Sequence, residues 1–519
     1  MAKLALLSVS DKAGLIDFAA RLVNEFEFEL ISSGGTARTL SEAGLAVTKV
    51  SDHTGFPEIL GGRVKTLHPK IHGGILARQS LAEDQRDLSD NGIRPIDLVV
   101  VNLYPFEQTI AEPTVAFAEA IEQIDIGGPT LIRAAAKNHD YITVLCSAEQ
   151  YETCLEQLRQ HDGLVSPEFR RQCALAAFNH TANYDQAITQ YLMQQAIADE
   201  IELPIPAQFT LSGVPAQTLR YGENPHQPAT WYQYTTQATG WTSAQKLQGK
   251  ALSYNNLVDL EAARRIIAEF PAAQGPAAAV LKHTNPCGAA LGDTLKLAYE
   301  SAFNADSVSA FGGIVALNQT LDAATATALT QTFLECIVVP DCAPEAQAIL
   351  ANKKNLRVLV LENLAQGPTQ TVKAIAGGFL AQNADDLAED PTQWQIVTEA
   401  KPSAPQLEEL LFAWRIVKHV KSNAIVISRD RTTIGIGAGQ MNRVGSVNIA
   451  LAQAGDQAAG ATLASDGFFP FDDSVRTAAG AGISAIIQPG GSIRDEDSIK
   501  AANELGLIMV FTGVRHFLH

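Results

Sequence analysis

The most reactive-looking stretch is an apolar run, Ala277-Ala278-Ala279-Val280-Leu281, that passes directly into Lys282-His283-Thr284-Asn285-Pro286-Cys287-Gly288. It reads as a buried strand that delivers a base at its end. Asn285-Pro286 imposes an extended or turn geometry, Gly288 permits a close turn, and open α/β sheets bind ligands beyond the carboxyl ends of their strands. His283 is the first candidate for a general base, the role that histidine side chains most often fill. Anion-binding chemistry is suggested elsewhere, by Ser8-Val9-Ser10-Asp11-Lys12 and by Ser33-Gly34-Gly35-Thr36. Each places hydroxyls, a lysine or glycine-bared amides where a strand meets a helix N-terminus. Either loop alone reads as a helix cap, whereas two such loops at neighbouring strand ends suggest one phosphate site.

Further polar clusters accompany these. The segment from Gly61 to Gly74, bracketed by glycine pairs, gathers Arg63, Lys65, Thr66, His68, Lys70 and His72 and reads as a substrate loop or a charged surface loop. His68 and His72 are four apart, but Pro69 is expected to break the helix a metal pair would need, so no zinc site is expected. Asp125-Ile126-Gly127-Gly128-Pro129-Thr130 exposes amides ahead of a helix, with Pro129 in its first turn and Arg133 and Lys137 on one face. Thr218 to Gln227 is too rich in turn formers for a helix and reads as the lining of a second cleft. Thr433 to Arg443 carries glycines that do not fit GxGxxG, and no ribose-binding acid follows a compact strand, turn and helix, so a dinucleotide site is rejected. Ser465-Asp466-Gly467-Phe468-Phe469-Pro470-Phe471-Asp472-Asp473 reads as core packing or as a wall for a flat ligand.

Positioning these groups requires strands alternating with helices. Leu4 to Val9, Phe28 to Ser32, Asp97 to Leu103 and Tyr141 to Leu145 read as strands, and Lys12 to Leu22 as an amphipathic helix, which together argue a parallel, doubly wound α/β sheet. Residues 150–200 have helical periodicity, and Glu202-Leu203-Pro204-Ile205-Pro206-Ala207 marks the expected main domain boundary. Beyond it, Ser309 to Leu317 reads as a glycine turn entering a strand. Val417 to Ser428 reads as another, with Lys421-Ser422-Asn423 before its apolar run. No low-complexity tract or convincing short repeat is evident.

A chain of 519 residues, 46% of them apolar, is expected to form two to four domains. The net charge of -18 is spread along the sequence and repels phosphate backbones and anionic lipid, so neither nucleic acid nor a membrane is an expected partner. A small anionic substrate is compatible with it, because a local cation cluster reverses the field within one cleft. Six cysteines without a CxxC pair, no secretory pattern and no run of about 18 apolar residues point to a cytoplasmic protein without a membrane span.

Taken in order, SVSDK, SSGGTA, GGRVKTLHP, NLYPF, QIDIGGPTLIRAAAKNH, LRYGENPHQ, LKHTNPCGAA, SAFGGIVAL, VKSNAI, GIGAGQMNR and SDGFFPFDD resemble the bifunctional purine-biosynthesis family that combines AICAR formyltransferase with IMP cyclohydrolase. The resemblance implies a methylglyoxal-synthase-like domain for ring closure over residues 1–200, with its core about 1–146. It implies a cytidine-deaminase-like α/β layered region for formyl transfer over residues 201–519. It implies 10-formyltetrahydrofolate as co-substrate, AICAR, FAICAR and IMP as ligands, no transition metal, and a homodimer whose transformylase site draws on both subunits. For formyl transfer it implies His283 as base, Lys282 as its charged support and Asn423 as orienter. Arg220, Tyr221 and Arg443 would contact AICAR, Phe468 and Asp473 the base or folate, and Arg515 the phosphate or carboxamide. For ring closure it implies Lys65, Tyr104, Asp125 and Lys137 at the chemistry. Ser10, Lys12, Ser33, Gly35, Thr36, Arg63, Thr66, Asn102 and Gly127 would hold the substrate.

Two rivals are testable. A zinc nucleobase deaminase is suggested by Pro286-Cys287, but the position three after Cys287 is Ala290 and no HxE triplet accompanies it. A regulatory reading makes the first domain a phosphate-ligand sensor without ring-closing activity.

Overall fold

A computed structural model describes residues 2–112, 114–198, 209, 211–234 and 238–519. The chain forms two compact units, Met1–Phe209 and Thr210–His519. The proline stretch Glu202 to Ala207 expected at the boundary lies outside the described residues.

In the first unit, β1 (Leu4–Ser8), β2 (Glu29–Ser32), β3 (Val47–Lys49), β4 (Leu98–Val101) and β5 (Thr143–Leu145) form a parallel sheet in the order β3-β2-β1-β4-β5. The reason is legible in β1 and β4. Leu4 to Leu7 and Leu98 to Val101 are buried without alternation, as a sheet covered on both faces requires. The three-residue β3 is an addition to the strands expected; it has no apolar run and lies at an edge. Because β2, β1 and β4 are neighbours, the loops after Ser8, Ser32 and Val101 emerge side by side at one sheet edge. One expectation is corrected here: Pro69 begins a helix, Pro69–Leu76, rather than breaking one. Proline suits a first helical position, where its missing N–H costs nothing, and His68 Nδ1 accepts the Lys70 N–H at 3.1 Å as the cap.

The second unit opens with a hairpin, β6 (Val214–Leu219) and β7 (Ala229–Gln233). Its strands then run β8 (Gln245–Gln248), β9 (Ala277–Lys282), β10 (Asn285–Leu291), β11 (Gly313–Leu317), β12 (Leu334–Val339) and β13 (Arg357–Val360). A second hairpin, β14 (Gln370–Ile375) and β15 (Gly378–Asn383), precedes β16 (Gln395–Ile396), β17 (Ile425–Arg429), β18 (Thr432–Gly437), β19 (Thr462–Ser465), β20 (Ala485–Gln488) and β21 (Ile508–Phe511). Among the described residues a twelve-stranded mixed sheet runs β16-β21-β20-β19-β17-β18-β10-β9-β11-β12-β13-β8.

That order is one design used twice. Each copy has an antiparallel outer strand (β8 or β16), a helix (Tyr254–Ala268 or Ala404–Val417), a hairpin (β9/β10 or β17/β18) and three mutually parallel strands. The copies join where β10 pairs with β18. The sequence carries no short repeat that announces this duplication. The period is far longer than a short repeat, and the shared feature is strand order rather than residue identity. Gly288 and Gly435 occupy matching positions in β10 and β18, where an added Cβ would strike the Ala302 and Ala450 carbonyl oxygens of the covering helices. Gly435 and Gly437 of GIGAGQ therefore serve helix-on-sheet contact.

A buried charge cluster fixes the end of the chain. His516 lies between Asp385 (2.7 Å) and Glu389 (3.0 Å), with its ring 5.2 Å from that of Trp414. Burial disfavours the imidazolium, but the two carboxylates outweigh it and hold the ring up at about 9. A folded-state pKa raised above the unfolded value contributes stability that is full below about pH 6.5 and fades as pH rises through about 9. Melting temperature is therefore expected to fall between pH 7 and pH 10, and the His516→Gln variant, measured alongside, should show a flatter dependence.

Candidate functional site

The three loops of the first unit surround a cleft of about 440 Å³. Asn102, just past β4, ties down the first loop. Its Oδ1 accepts the Ser10 N–H at 2.6 Å and the Asp11 N–H at 3.1 Å, and its Nδ2 donates to the Asp11 carbonyl at 2.8 Å. Thr36 joins the first loop to the second, its hydroxyl accepting from Val9 N at 3.1 Å and donating to Val9 O at 2.9 Å. Ser33 stands before the helix Gly34–Glu42. Its hydroxyl is buried, with only 4% of the residue exposed, and has no hydrogen-bond partner. Two ammonium groups approach the same helix end, Lys65 Nζ within 3.6 Å of a Cβ position on Gly34 and Lys12 Nζ within 3.9 Å of one on Gly35. Bared amides, a helix N-terminus, an unsatisfied hydroxyl and two cations together suit an anion.

The same cleft carries side chains able to exchange protons. Asp125 Oδ1 accepts the Gly128 N–H at 2.8 Å, and Asp125 N–H donates to the Tyr184 hydroxyl at 2.8 Å. Burial raises the Asp125 carboxyl above its usual range, opposed by that amide and by the nearby Lys65 charge. Tyr104 is partly exposed, Arg63 pairs with Glu122 at 3.5 Å, and Thr66 faces Gly127. All of Ser10, Lys12, Ser33, Gly35, Thr36, Arg63, Lys65, Thr66, Asn102, Tyr104, Asp125 and Gly127 line the cleft. Lys137 does not: it ends the helix Gly127–Lys137, about 15 Å along the axis from Gly127.

In the second unit, His283 is not at a free strand end. His283 and Thr284 are the two residues of the β9/β10 turn, with φ 53° and 64°, and Asn285-Pro286 begins β10 instead of forming the turn. Two-residue hairpin turns favour positive φ at both positions, which overrides the turn signal of Asn-Pro. The imidazole is exposed at the tip. Lys282 Nζ donates to the Phe311 carbonyl at 2.7 Å, and Asn285 Oδ1 accepts the Lys421 N–H at 3.2 Å. That contact brings the Lys421-Ser422-Asn423 loop beside the turn. Asn423 Oδ1 in turn accepts from Arg443 Nη2 at 2.9 Å, while Arg443 pairs with the fully buried Asp466.

Of the remaining candidates, Phe468 and Arg515 adjoin this chain of contacts, whereas the contacts described for Asp473, Arg220 and Tyr221 lie elsewhere. An added Cβ at Gly467 would meet Arg443 at 2.6 Å and Phe517 at 2.7 Å, so the segment holding Phe468 and the end of the chain meet at Arg443. Arg515 lies with its guanidinium 4.5 Å from the Phe517 ring centre. Asp473 begins the helix Asp473–Gly480 and accepts the Ser474 N–H at 2.6 Å. Arg220 and Tyr221 follow β6, the guanidinium 5.3 Å from the ring centre, in a turn held to the helix Tyr254–Ala268 by Asn255 Nδ2 donating to Glu223 O.

The AICARFT/IMPCHase bienzyme family profile matches residues 135–453, and an MGS-like domain profile matches residues 14–130. The bifunctional purine biosynthesis protein PurH of Nostoc punctiforme is 67% identical over 519 residues, covering all of both chains. Those of Synechococcus elongatus and Acaryochloris marina are 66% and 65% identical, again over the full length of both. The chain belongs to the AICARFT/IMPCHase bienzyme family. It is an enzyme of purine biosynthesis with two activities, AICAR formyltransferase and IMP cyclohydrolase. The MGS-like match falls within the parallel-sheet first unit of this bienzyme, and the second unit is an α/β region built on the mixed sheet.

Some cleft residues of the bienzyme had no sequence signal. Glu58 and Glu122 line the cleft, the first three residues before GGRVKTLHP and the second directly before QIDIGGPTLIRAAAKNH, but each lies just outside the motif. Gly128 was visible only as part of a glycine pair. A side chain there would strike the Asp125 carboxylate and Leu103, so its place is set by how closely the helix approaches that acid. Among the described residues no group of three or more His, Cys, Asp or Glu could hold a metal ion, and no helix is long and apolar enough to cross a membrane.

Proposed function

We propose that ring closure occupies the cleft of the first unit and formyl transfer the face around His283 in the second, with 10-formyltetrahydrofolate as donor. In formyl transfer the 5-amino nitrogen of AICAR attacks the formyl carbon. Its lone pair is conjugated into the imidazole carboxamide, so a base must take the proton as the C–N bond forms. His283 accepts that proton, directly or through the carboxamide, and Lys282 stabilises the oxyanion. Collapse breaks the bond to the folate nitrogen, which leaves protonated as tetrahydrofolate. Asn423 and Arg443 orient the carboxamide, Arg220, Tyr221 and Arg515 hold AICAR, and Phe468 and Asp473 hold the base or the folate. A cytoplasmic homodimer in which both subunits contribute to this site completes the reading.

In FAICAR the formyl carbon and carboxamide nitrogen are neighbours on one ring, so the substrate itself supplies proximity, worth roughly 7–11 kcal/mol. The carboxamide nitrogen attacks the formyl carbon, and water leaves after proton transfers. Lys65 polarises the formyl oxygen, while Tyr104 and Asp125 move protons. Ser10, Lys12, Ser33, Gly35, Thr36 and Arg63 take the phosphate and ribose, and Thr66, Asn102 and Gly127 shape the wall. Lys137 shares in this reading only from the far end of its helix. The observation that carries the assignment is the buried, unpartnered Ser33 hydroxyl beneath Lys12 and Lys65 at a helix N-terminus. Lys65→Ala is expected to slow closure of supplied FAICAR roughly a hundredfold, while AICAR formylation changes no more than about twofold. If residues 1–209 expressed alone bind FAICAR without closing it, the sensor reading replaces this one.

A further inference from the structure

His283 and Thr284 adopt a backbone that neither prefers. At φ 53° and 64° both lie in the left-handed region, where a β-branched residue such as Thr284 is a clear outlier. Such a turn persists only when its surroundings hold it. One holding contact comes from outside the hairpin: Asp259 Oδ1, on the helix Tyr254–Ala268, accepts the Thr284 N–H at 2.8 Å. Within the turn, the Thr284 hydroxyl and Asn285 Nδ2 both donate to the His283 carbonyl, at 2.7 and 3.2 Å.

The second copy of the fold repeats the external contact. Its hairpin turn is Asp430-Arg431, with φ 51° and 52°, and Glu409 Oε2 accepts the Arg431 N–H at 2.7 Å. Asp259 and Glu409 each lie five residues beyond the first residue of their helix, Tyr254 and Ala404. A carboxylate on the preceding helix that clamps the second turn residue is thus part of the duplicated design. What differs is the turn's cargo. The first copy presents an imidazole beside the Asn423 loop, and the second presents Asp430. Asp259 is also close enough to His283 for its charge to act there: burial raises the Asp259 carboxyl, and the Thr284 amide and the His283 charge oppose the rise.

We propose that Asp259 is a positioning residue for formyl transfer, clamping the His283-Thr284 turn so that the imidazole meets the substrate amine in one orientation. Glu409, in the same place in the other copy, only stabilises its turn. The inference rests on the reading of His283 as the base.

The test compares Asp259→Ala, Asp259→Asn and Glu409→Ala in the full chain, following AICAR formylation, closure of supplied FAICAR and thermal melting. Asp259→Ala should lower kcat for formylation roughly 10- to 100-fold, with KM for AICAR and FAICAR closure each within about twofold of native. Asp259→Asn keeps an acceptor for the Thr284 N–H and should recover most of that loss. Glu409→Ala should lower the melting temperature with little change in kcat. Formylation falling equally in Asp259→Ala and Glu409→Ala, or kcat unchanged in Asp259→Ala, would overturn the inference. His283→Ala separates the two levels: if it still formylates, the base reading has failed, whereas its inactivity beside an active Asp259→Ala refutes only the role of Asp259.

Discussion

Replacing His283 with alanine is expected to lower the formyl-transfer rate by about a hundred- to ten-thousandfold, the usual contribution of one positioned base. Closure of supplied FAICAR should stay within about twofold of the native rate, because no cleft-lining residue of the first unit is altered. Folding should also be little affected, since the ring is exposed at a hairpin tip and its hydrogen bonds run through the backbone carbonyl. A combination of lost formylation, retained closure and an unchanged melt distinguishes a chemical role from a structural one. His283→Asn, which suits a positive φ better than alanine does, should be as inactive, and so excludes backbone strain as the cause.

The second large effect concerns Arg443. Asp466 is fully buried, and Arg443 and the Ser422 hydroxyl satisfy its carboxylate. Arg443→Met leaves that charge without its cation, a change expected to cost about 3–5 kcal/mol of stability. It also removes the Nη2 donor to Asn423, so formylation should fall together with stability. A second variant separates the two consequences. Arg443→Met combined with Asp466→Leu removes both charges, which is often near neutral for a buried pair, so most stability should return. Formylation should not return, because Asn423 still lacks its partner. Recovery of both stability and formylation in the double variant would show that Arg443 serves the fold alone.

Legibility in the sequence followed how local the determining interactions are. The unbroken apolar runs of β1 and β4 suit a sheet covered on both faces, and the serine loop after β1 and the glycine loop after β2 marked the cleft. Lys12 and Lys65 were recognisable because each sits in a short motif, though their convergence on one helix end depends on the strand order. The site around His283 was legible only in part. Asn423, Arg443 and Asp466 belong to separate stretches, and nothing local says that they form one hydrogen-bonded chain. Asn285-Pro286 carried the stronger turn signal, yet hairpin geometry moved the turn two residues earlier, onto His283 and Thr284. The duplication has no local signature, because the copies share strand order, one glycine and the placement of one acid rather than a continuous residue pattern. Pro69 is ambiguous in the sequence, because a proline breaks a helix that it interrupts and suits one that it begins, as it does here.

The most direct test of two separate sites follows AICAR, FAICAR and IMP together, by quenched time courses, in the native enzyme and in His283→Ala and Lys65→Ala supplied with AICAR and 10-formyltetrahydrofolate. Native enzyme should pass AICAR through to IMP. His283→Ala should leave AICAR unconsumed but turn added FAICAR into IMP, whereas Lys65→Ala should consume AICAR and accumulate FAICAR. Loss of both activities in either variant, with a native melt, would contradict the assignment of one step to each unit.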